Sequence, residues 1–157
     1  MAPDELVAKI RTAPVATLVE LIAVADVAGL TEGGDSPLVT AASTARADVV
    51  SKLLLAGAPA DAQTSTGLSA LAAASMDGHV NCVTRLIAAG ANVDAQGGRE
   101  RTTALILAAR NGHRAVCEKL LEAGADVSLV SAYGETAEMA AHRFETEGRL
   151  YSTDLKV

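Results

Sequence analysis

Residues 67–93 read GLSALAAASMDGHVNCVTRLIAAGANV, and residues 101–127 read RTTALILAARNGHRAVCEKLLEAGADV. Both stretches contain a Ser/Thr-Ala-Leu start, a central Gly-His pair and a Gly-Ala end, in that order. Residues 36–58 repeat the pattern more loosely, from Ser-Pro-Leu to Gly-Ala. Such self-similarity at a fixed period of about 20–50 residues is typical of proteins built by stacking repeated units.

The apolar residues inside each unit follow helical spacing. Leu38, Ala41 and Ala42 lie at i, i+3 and i+4, which predicts one face of an α-helix, and residues 49–54 predict a second one. One such pair cannot bury its apolar face alone, so neighbouring units must stack. Leu54 and Leu121 are expected to lie in that shared core. Hydroxyl residues are placed as N-caps of the first helices, namely Ser36, Ser69, Thr103 and Thr136. Glycines are placed as left-handed C-caps of the second helices, namely Gly57, Gly90 and Gly124.

The segment 67–74 with Gly78-His79, and the segment 103–109 with Gly112-His113, resemble the ankyrin-repeat family. Units of that family run Gly-x-Thr-Pro-Leu-His-x-Ala-Ala, then Gly-His, then a second helix that ends in Gly-Ala-Asp-Val. The resemblance covers about residues 25 to 144. It implies an all-α fold: a solenoid of stacked helix-turn-helix units with projecting β-hairpin loops.

The expected organisation is a single domain over residues 1–157. Its segments are a degenerate N-terminal cap (1–33), three repeats (34–66, 67–99 and 100–133), a C-terminal cap (134–148) and a tail (149–157).

Departures from the family pattern fall at structural positions. Arg101 takes the usual glycine position in a hairpin loop, which puts the tight turn there in doubt. Glu138 takes the place of a core leucine, so that face is expected to meet solvent at the end of the stack. The histidine of Thr-Pro-Leu-His is replaced at Val39, Ala72, Ile106 and Met139.

Composition narrows the functional classes. The chain of 157 residues suggests one domain, and its net charge of −6 and scarcity of aromatics argue against a nucleic-acid binder. No apolar run reaches the roughly 18 residues of a membrane helix, and the acidic start Asp4-Glu5 is unlike a signal peptide. Two cysteines are too few for a disulfide scaffold. We expect a monomer in the cytoplasm, with the nucleus also open.

Two His/Cys pairs raise the alternative of a metal site. His79 and Cys82 are three residues apart, and His113 and Cys117 are four apart, so each pair shares a helix face. The resemblance instead implies that the histidines bridge neighbouring turns, and the cysteines stand where other units have valine. No known catalytic motif is present. We therefore predict no metal, no cofactor, no catalytic residue and no enzyme activity.

The resemblance implies a concave groove, lined by hairpin tips and first helices, that binds a protein partner. The residues placed there are Met76, Asp77, Leu68, Arg99, Glu100, Thr102, Arg110, Asn111, Tyr133, Arg143 and Phe144. These side chains are expected to be unnecessary for the stack, so replacing Arg99 or Arg110 should barely change stability.

The arginines of this groove, together with Arg101, predict a basic cluster that suits an acidic, partly apolar partner segment. In the alternative interpretation, Tyr133 and Phe144 merely cover the last repeat. A third candidate is the C-terminal Leu155-Lys156-Val157, which fits an apolar-x-apolar carboxylate signature.

The predicted function is a non-catalytic protein–protein interaction module that acts as an adaptor, scaffold or inhibitor subunit. The size and repeat number also resemble small ankyrin-type inhibitors of cyclin-dependent kinases, so a kinase-inhibitor-like regulatory subunit is the alternative. A metal-binding sensor or an enzyme is the third possibility. Fold alone does not name the partner.

Overall fold

The structure is a computed structural model that describes residues 2–23 and 25–146, with the backbone only at residues 145 and 146. This part of the chain is all-α, as predicted. Its helices are α1 (Pro3–Thr12), α2 (Val15–Ile22), α3 (Pro37–Ser43), α4 (Ala47–Leu55), α5 (Ala70–Met76), α6 (Val80–Ala88), α7 (Ala104–Arg110), α8 (Arg114–Glu122) and α9 (Ala137–Thr146). None of these helices is long and apolar enough to cross a membrane.

The helices form two parallel rows. The odd-numbered helices α1, α3, α5, α7 and α9 pack in succession, and α2, α4, α6 and α8 form the second row behind them. Each helix pair therefore packs on the pair before it, and α1 with α2 closes the N-terminal end. Hairpin loops join consecutive pairs, and two of them are closed by isolated antiparallel bridges, Gln63 with Ser69 and Gly97 with Thr102.

The core between the rows contains alanines and leucines of the first row and leucines, valines and cysteines of the second. Leu53, Leu86 and Leu120 are fully buried at equivalent positions of α4, α6 and α8. Leu54 and Leu121 are only partly buried against this core. The prediction that these two are core residues was therefore wrong by one position, because consecutive leucines point about 100° apart on a helix.

A hydrogen bond across units recurs along the stack. Nε2 of His79 lies 3.1 Å from the carbonyl oxygen of Ser43, and Nε2 of His113 lies 3.0 Å from that of Met76. Each ring thus bonds to the last turn of the first helix in the preceding unit, so the predicted bridging role is confirmed. Arg46 holds the equivalent position and donates to the carbonyl oxygen of Ile10 at 2.6 Å.

The predicted caps are present with one exception. Ser69 and Thr103 accept hydrogen bonds from the backbone N–H groups three residues later, at 3.1 and 3.2 Å. Thr136 does the same at 3.2 Å. Ser36 occupies the N-cap position of α3, as predicted, but its hydroxyl makes no capping bond. Pro37 follows it in the first helical turn, where its fixed φ suits a helix start. The predicted C-cap glycines all adopt positive φ, namely Gly57, Gly90 and Gly124.

Two non-glycine residues adopt the left-handed backbone that the repeat requires. Ala45 has φ of +61° where the equivalent Gly78 has +78°, and Arg101 has φ of +48° where the equivalent Gly67 has +83°. The turn at Arg101 is kept, with its N–H donating to the carbonyl oxygen of Gly98 at 3.2 Å. The rest of each unit therefore imposes a conformation that costs a side-chain-bearing residue about 1–2 kcal/mol.

The last unit shows the marks of an end. Glu138 is exposed, as its replacement of a core leucine predicted. Met139 is 56% exposed, whereas its equivalents Val39, Ala72 and Ile106 are buried. The face of α9 that points away from α7 is thus open over the described residues.

The left-handed residues give a first prediction. Ala45→Gly and Arg101→Gly should each stabilise the protein by about 0.5–1 kcal/mol, because removing the Cβ strain outweighs the entropy that glycine adds to the unfolded chain. Chemical denaturation of the full chain would measure this. The matched control is Ala8→Gly inside α1, which should destabilise by about 1 kcal/mol. Destabilisation by Ala45→Gly would contradict the assigned conformation.

The burial pattern of α4 gives a second prediction. Leu53→Ala should destabilise by about 2–5 kcal/mol, because it opens a cavity in the shared core. Leu55→Ala should change the free energy of unfolding by less than about 0.5 kcal/mol, since that side chain is 83% exposed. Equal losses in the two variants, measured by urea unfolding, would show that the register of α4 is wrong.

Candidate functional site

Backbone hydrogen bonds tie consecutive hairpin loops side by side. In each of three pairs, an N–H of one loop donates to a carbonyl oxygen of the loop before it, at 2.7–3.1 Å. The pairs are Ser65 to Gly34, Gly98 to Gly67, and Ala132 to Glu100. The loops therefore present their tips as one continuous, backbone-fixed edge of the stack.

One exposed position recurs where each first helix ends. Thr44, Asp77 and Asn111 follow α3, α5 and α7 directly and are exposed. Met76, beside Asp77, is half-buried, and its carbonyl oxygen is the acceptor for His113. Thr44 and Asn111 donate to carbonyl oxygens of their own helices, but all three side chains are exposed and can be reached by another molecule.

An ion cluster joins the hairpin edge to the first helices near the C-terminal end. Nη1 of Arg110 lies 2.6 Å from Oε2 of Glu100, while its Nε and Nη2 lie 3.1 and 2.6 Å from Oε2 of Glu135. Nη1 of Arg143 lies 2.9 Å from the other oxygen of Glu135, which is an ion-pair distance without hydrogen-bond geometry. The cluster therefore connects α7 and α9 with two hairpin loops, the loop from α6 to α7 that contains Glu100 and the loop from α8 to α9 that contains Glu135.

The charges within this cluster balance. Two guanidinium groups face two carboxylates, and Glu135 is only 6% exposed. Burial opposes the charge on Arg110, but the hydrogen bonds to Glu100 and Glu135 outweigh it and raise the pKa of the guanidinium. The expectation that Arg110 is free of structural duties was therefore wrong. Arg110 and Arg143 do not form an unpaired basic cluster with the loop arginines.

Glu135 lies at a hairpin-tip position of the predicted groove but is not among the residues predicted to contact a partner. It occupies the position just before the N-cap Thr136, where the two preceding units have Leu68 and Thr102. A carboxylate at an inward-facing position requires a cation nearby. The signal was therefore a glutamate in a position that elsewhere holds a residue of lower polarity.

The other predicted site residues fall into two groups. Asp77, Arg99, Asn111 and Tyr133 are exposed, whereas Leu68, Glu100 and Phe144 are half-buried. Thr102 is only 5% exposed, and its backbone pairs with Gly97 to close the hairpin, so the expectation of a free side chain was wrong there. Tyr133 is 77% exposed and does not act as a lid over the last repeat. The C-terminal Leu155-Lys156-Val157 lies outside the described residues.

The His/Cys pairs carry structural roles. In both histidines, Nε2 takes part in the hydrogen bond to the preceding unit, and both cysteines are buried. Burial raises the pKa of each thiol, of Cys82 and of Cys117, to about 11, so the thiolate that a metal would need is scarce at neutral pH. Within residues 2–23 and 25–146, no three His, Cys, Asp or Glu side chains are grouped so that they could hold an ion.

The ion cluster gives a third prediction. Arg110→Met should destabilise the protein by about 1–3 kcal/mol, because the carboxylate of Glu135 then stays buried without its hydrogen bonds. Thermal and urea unfolding would measure the loss. The control Arg114→Met removes an exposed pair with Glu118 and should cost less than about 0.5 kcal/mol. Equal effects of the two substitutions would contradict a structural role for Arg110.

Comparison with known proteins agrees with the geometry. A family model described as ankyrin repeats (three copies) matches residues 13–97 and 38–131, which together span well over half of the chain. A search among curated proteins found no match. Ankyrin repeats are generally protein–protein interaction modules, and typically non-catalytic ones. The stacked helix pairs and this match together show that the chain belongs to the ankyrin-repeat family.

Proposed function

We propose that this protein is a non-catalytic module that binds a partner protein across its first-helix row and hairpin edge, as an adaptor, scaffold or inhibitor subunit. The observation that carries the proposal is the row formed by Thr44, Asp77 and Asn111. These three residues occupy one register position, all are exposed, and their side chains differ in size and charge. Structural positions in the same units repeat instead, as the His79 and His113 bridges do.

The rigidity of this face supports binding. The hairpin tips are tied to one another through backbone hydrogen bonds, and the ion cluster around Arg110 fixes the last loops against α7 and α9. A pre-ordered surface loses little conformational entropy when a partner docks, so more of the contact energy appears as affinity. The proposed contact residues are Leu68, Met76, Asp77, Arg99, Glu100, Asn111, Tyr133 and Phe144.

A matched pair of charge variants tests the proposal. The tagged full chain is used as bait in extract of the cells that make it. The groove variant is Asp77→Lys with Asn111→Lys, and the control on the second-helix row is Glu118→Lys with Asn81→Lys, which makes the same change in charge. All four positions are exposed, so both variants should keep the wild-type circular dichroism and unfolding midpoint.

We expect quantitative mass spectrometry to find a protein that the wild type and the control capture and that the groove variant loses at least tenfold. Capture that survives in the groove variant but disappears in the control would place binding on the second-helix row. That result would contradict the proposed surface.

A further inference from the structure

The arginines of the described chain are unevenly partnered. The guanidinium groups of six arginines donate to, or form an ion pair with, another group of this chain, namely those of Arg11, Arg46, Arg85, Arg110, Arg114 and Arg143. Arg99 and Arg101 have no such partner among the described residues. Both lie on the one hairpin loop that joins α6 to α7, so two exposed positive charges stand together on a protein of net charge −6.

The carboxylates nearest in sequence and loop contact are already engaged. Glu100, between the two arginines, accepts from Arg110 at 2.6 Å. On the neighbouring loop, Oδ1 of Asp126 accepts from the backbone N–H and the hydroxyl of Ser128, at 2.8 and 2.6 Å. Asp126 keeps its negative charge, since both of its donors are neutral, but neither carboxylate pairs with Arg99 or Arg101.

A cavity of about 390 Å³ lies beside Arg101, and Arg99 is two residues away on the same loop without lining it. Its lining is Arg101 and Gln96 from one loop and the backbone and side chains of residues 128–132 from the next. Val130 on that wall is 45% exposed. The cavity thus combines one cation, several polar groups and an apolar wall in a small concave space.

The two walls are held in fixed relation. Nε2 of Gln96 donates to the carbonyl oxygen of Val130 at 2.6 Å, and the N–H of Ala132 donates to the carbonyl oxygen of Glu100 at 2.7 Å. Tyr133 follows directly on the second wall and is exposed. A ligand would meet a preformed cleft with an aromatic side chain at its rim.

We propose that this cleft binds an acidic segment of the partner protein, with a carboxylate at Arg101 and Arg99 and an adjacent apolar side chain on the wall at Val130. The proposal rests on the proposed protein-binding function and specifies the chemistry of the partner, namely an acidic side chain next to an apolar one. A guanidinium presents a planar fork of donors that matches a carboxylate, and an unpaired one on an acidic surface attracts that group selectively. The apolar wall then favours a hydrophobic neighbour over a second charge.

Two synthetic peptides probe the cleft in the full chain. The first is acetyl-Ser-Gly-Glu-Leu-Glu-Gly-Ser-amide, and the second replaces both glutamates by glutamine. Titration into nitrogen-15-labelled protein should shift the amide signals of residues 96–101 and 128–132 with the acidic peptide. The glutamine peptide should bind at least tenfold more weakly.

Variants separate a specific site from general attraction. Arg101→Gly, which relieves the left-handed strain and so should remain folded, and Arg99→Gln should each raise the Kd for the acidic peptide at least fivefold. Arg114→Gln on α8 removes the same charge and should leave the Kd within twofold.

Three results would contradict the proposal that this cleft binds an acidic segment. They are no shifts in these two loops at millimolar peptide, equal binding of both peptides, and an equal loss in Arg114→Gln. None of these results would change the interpretation of the bait experiment with the Asp77 and Asn111 substitutions, because those side chains do not line the cavity. A partner lost from that groove variant while the peptide fails to bind would keep the proposed function and reject only this site.

Discussion

The stack depends on one hydrogen bond that recurs between units. It runs from the side chain at the start of a second helix to a carbonyl oxygen in the last turn of the first helix of the preceding unit. His79 and His113 make this bond through Nε2, and Arg46 makes it through a guanidinium. Helices of seven residues, such as α5 and α7, are far below the length that is stable alone in water. Their carbonyl ends need a partner, and the next unit supplies it, so each unit is completed by its successor.

This bond also explains the glycine that precedes His79. A Cβ added to Gly78 would lie 2.5 Å from Nδ1 of His113, so the ring of the following unit occupies the space over that glycine. The left-handed φ and the close approach of the ring thus require the same residue type. Ala45, at the equivalent position, keeps the left-handed turn with φ of +61° although it carries a Cβ and His79 of the following unit bonds to Ser43 beside it.

The two ends of the array use charge where the middle uses packing. Asp35 and Glu135 both stand just before a first helix, and each pairs with an arginine of the preceding first helix, Arg11 and Arg110 respectively. The middle units have Leu68 and Thr102 at that position. The two pairs differ in burial: the side chains of Arg11 and Asp35 are about half exposed, so their pair adds little stability, whereas Glu135 is only 6% exposed and needs its arginine.

Most of the architecture could be predicted from the sequence because the repeat sets it: the helix pairs, their order, the glycine caps and the bridging histidines. What escaped prediction were properties that depend on a neighbour rather than on the unit itself. The spacing within α4 predicts burial of Leu53 and Leu54 equally, and the helices packed around α4, namely α2, α3 and α6, decide between them. Arg110 looks like a free groove residue until the loop with Glu135 folds onto it. Sequence spacing identifies which side chains share a face, but not which charged side chains form ion pairs with one another in the folded chain.

At Arg101, the residue type that suits the backbone differs from the one that the proposed function needs. Equivalent loops use Gly34, Gly67 and Gly134, all with positive φ, so the backbone there is suited to glycine. Arginine keeps the same turn at an energetic cost, and its guanidinium contributes no bond to the described stack. The proposed contact with a partner carboxylate would account for a side chain that strains its backbone and stabilises nothing around it. The repeat explains every feature of this loop except the residue that faces outward from it.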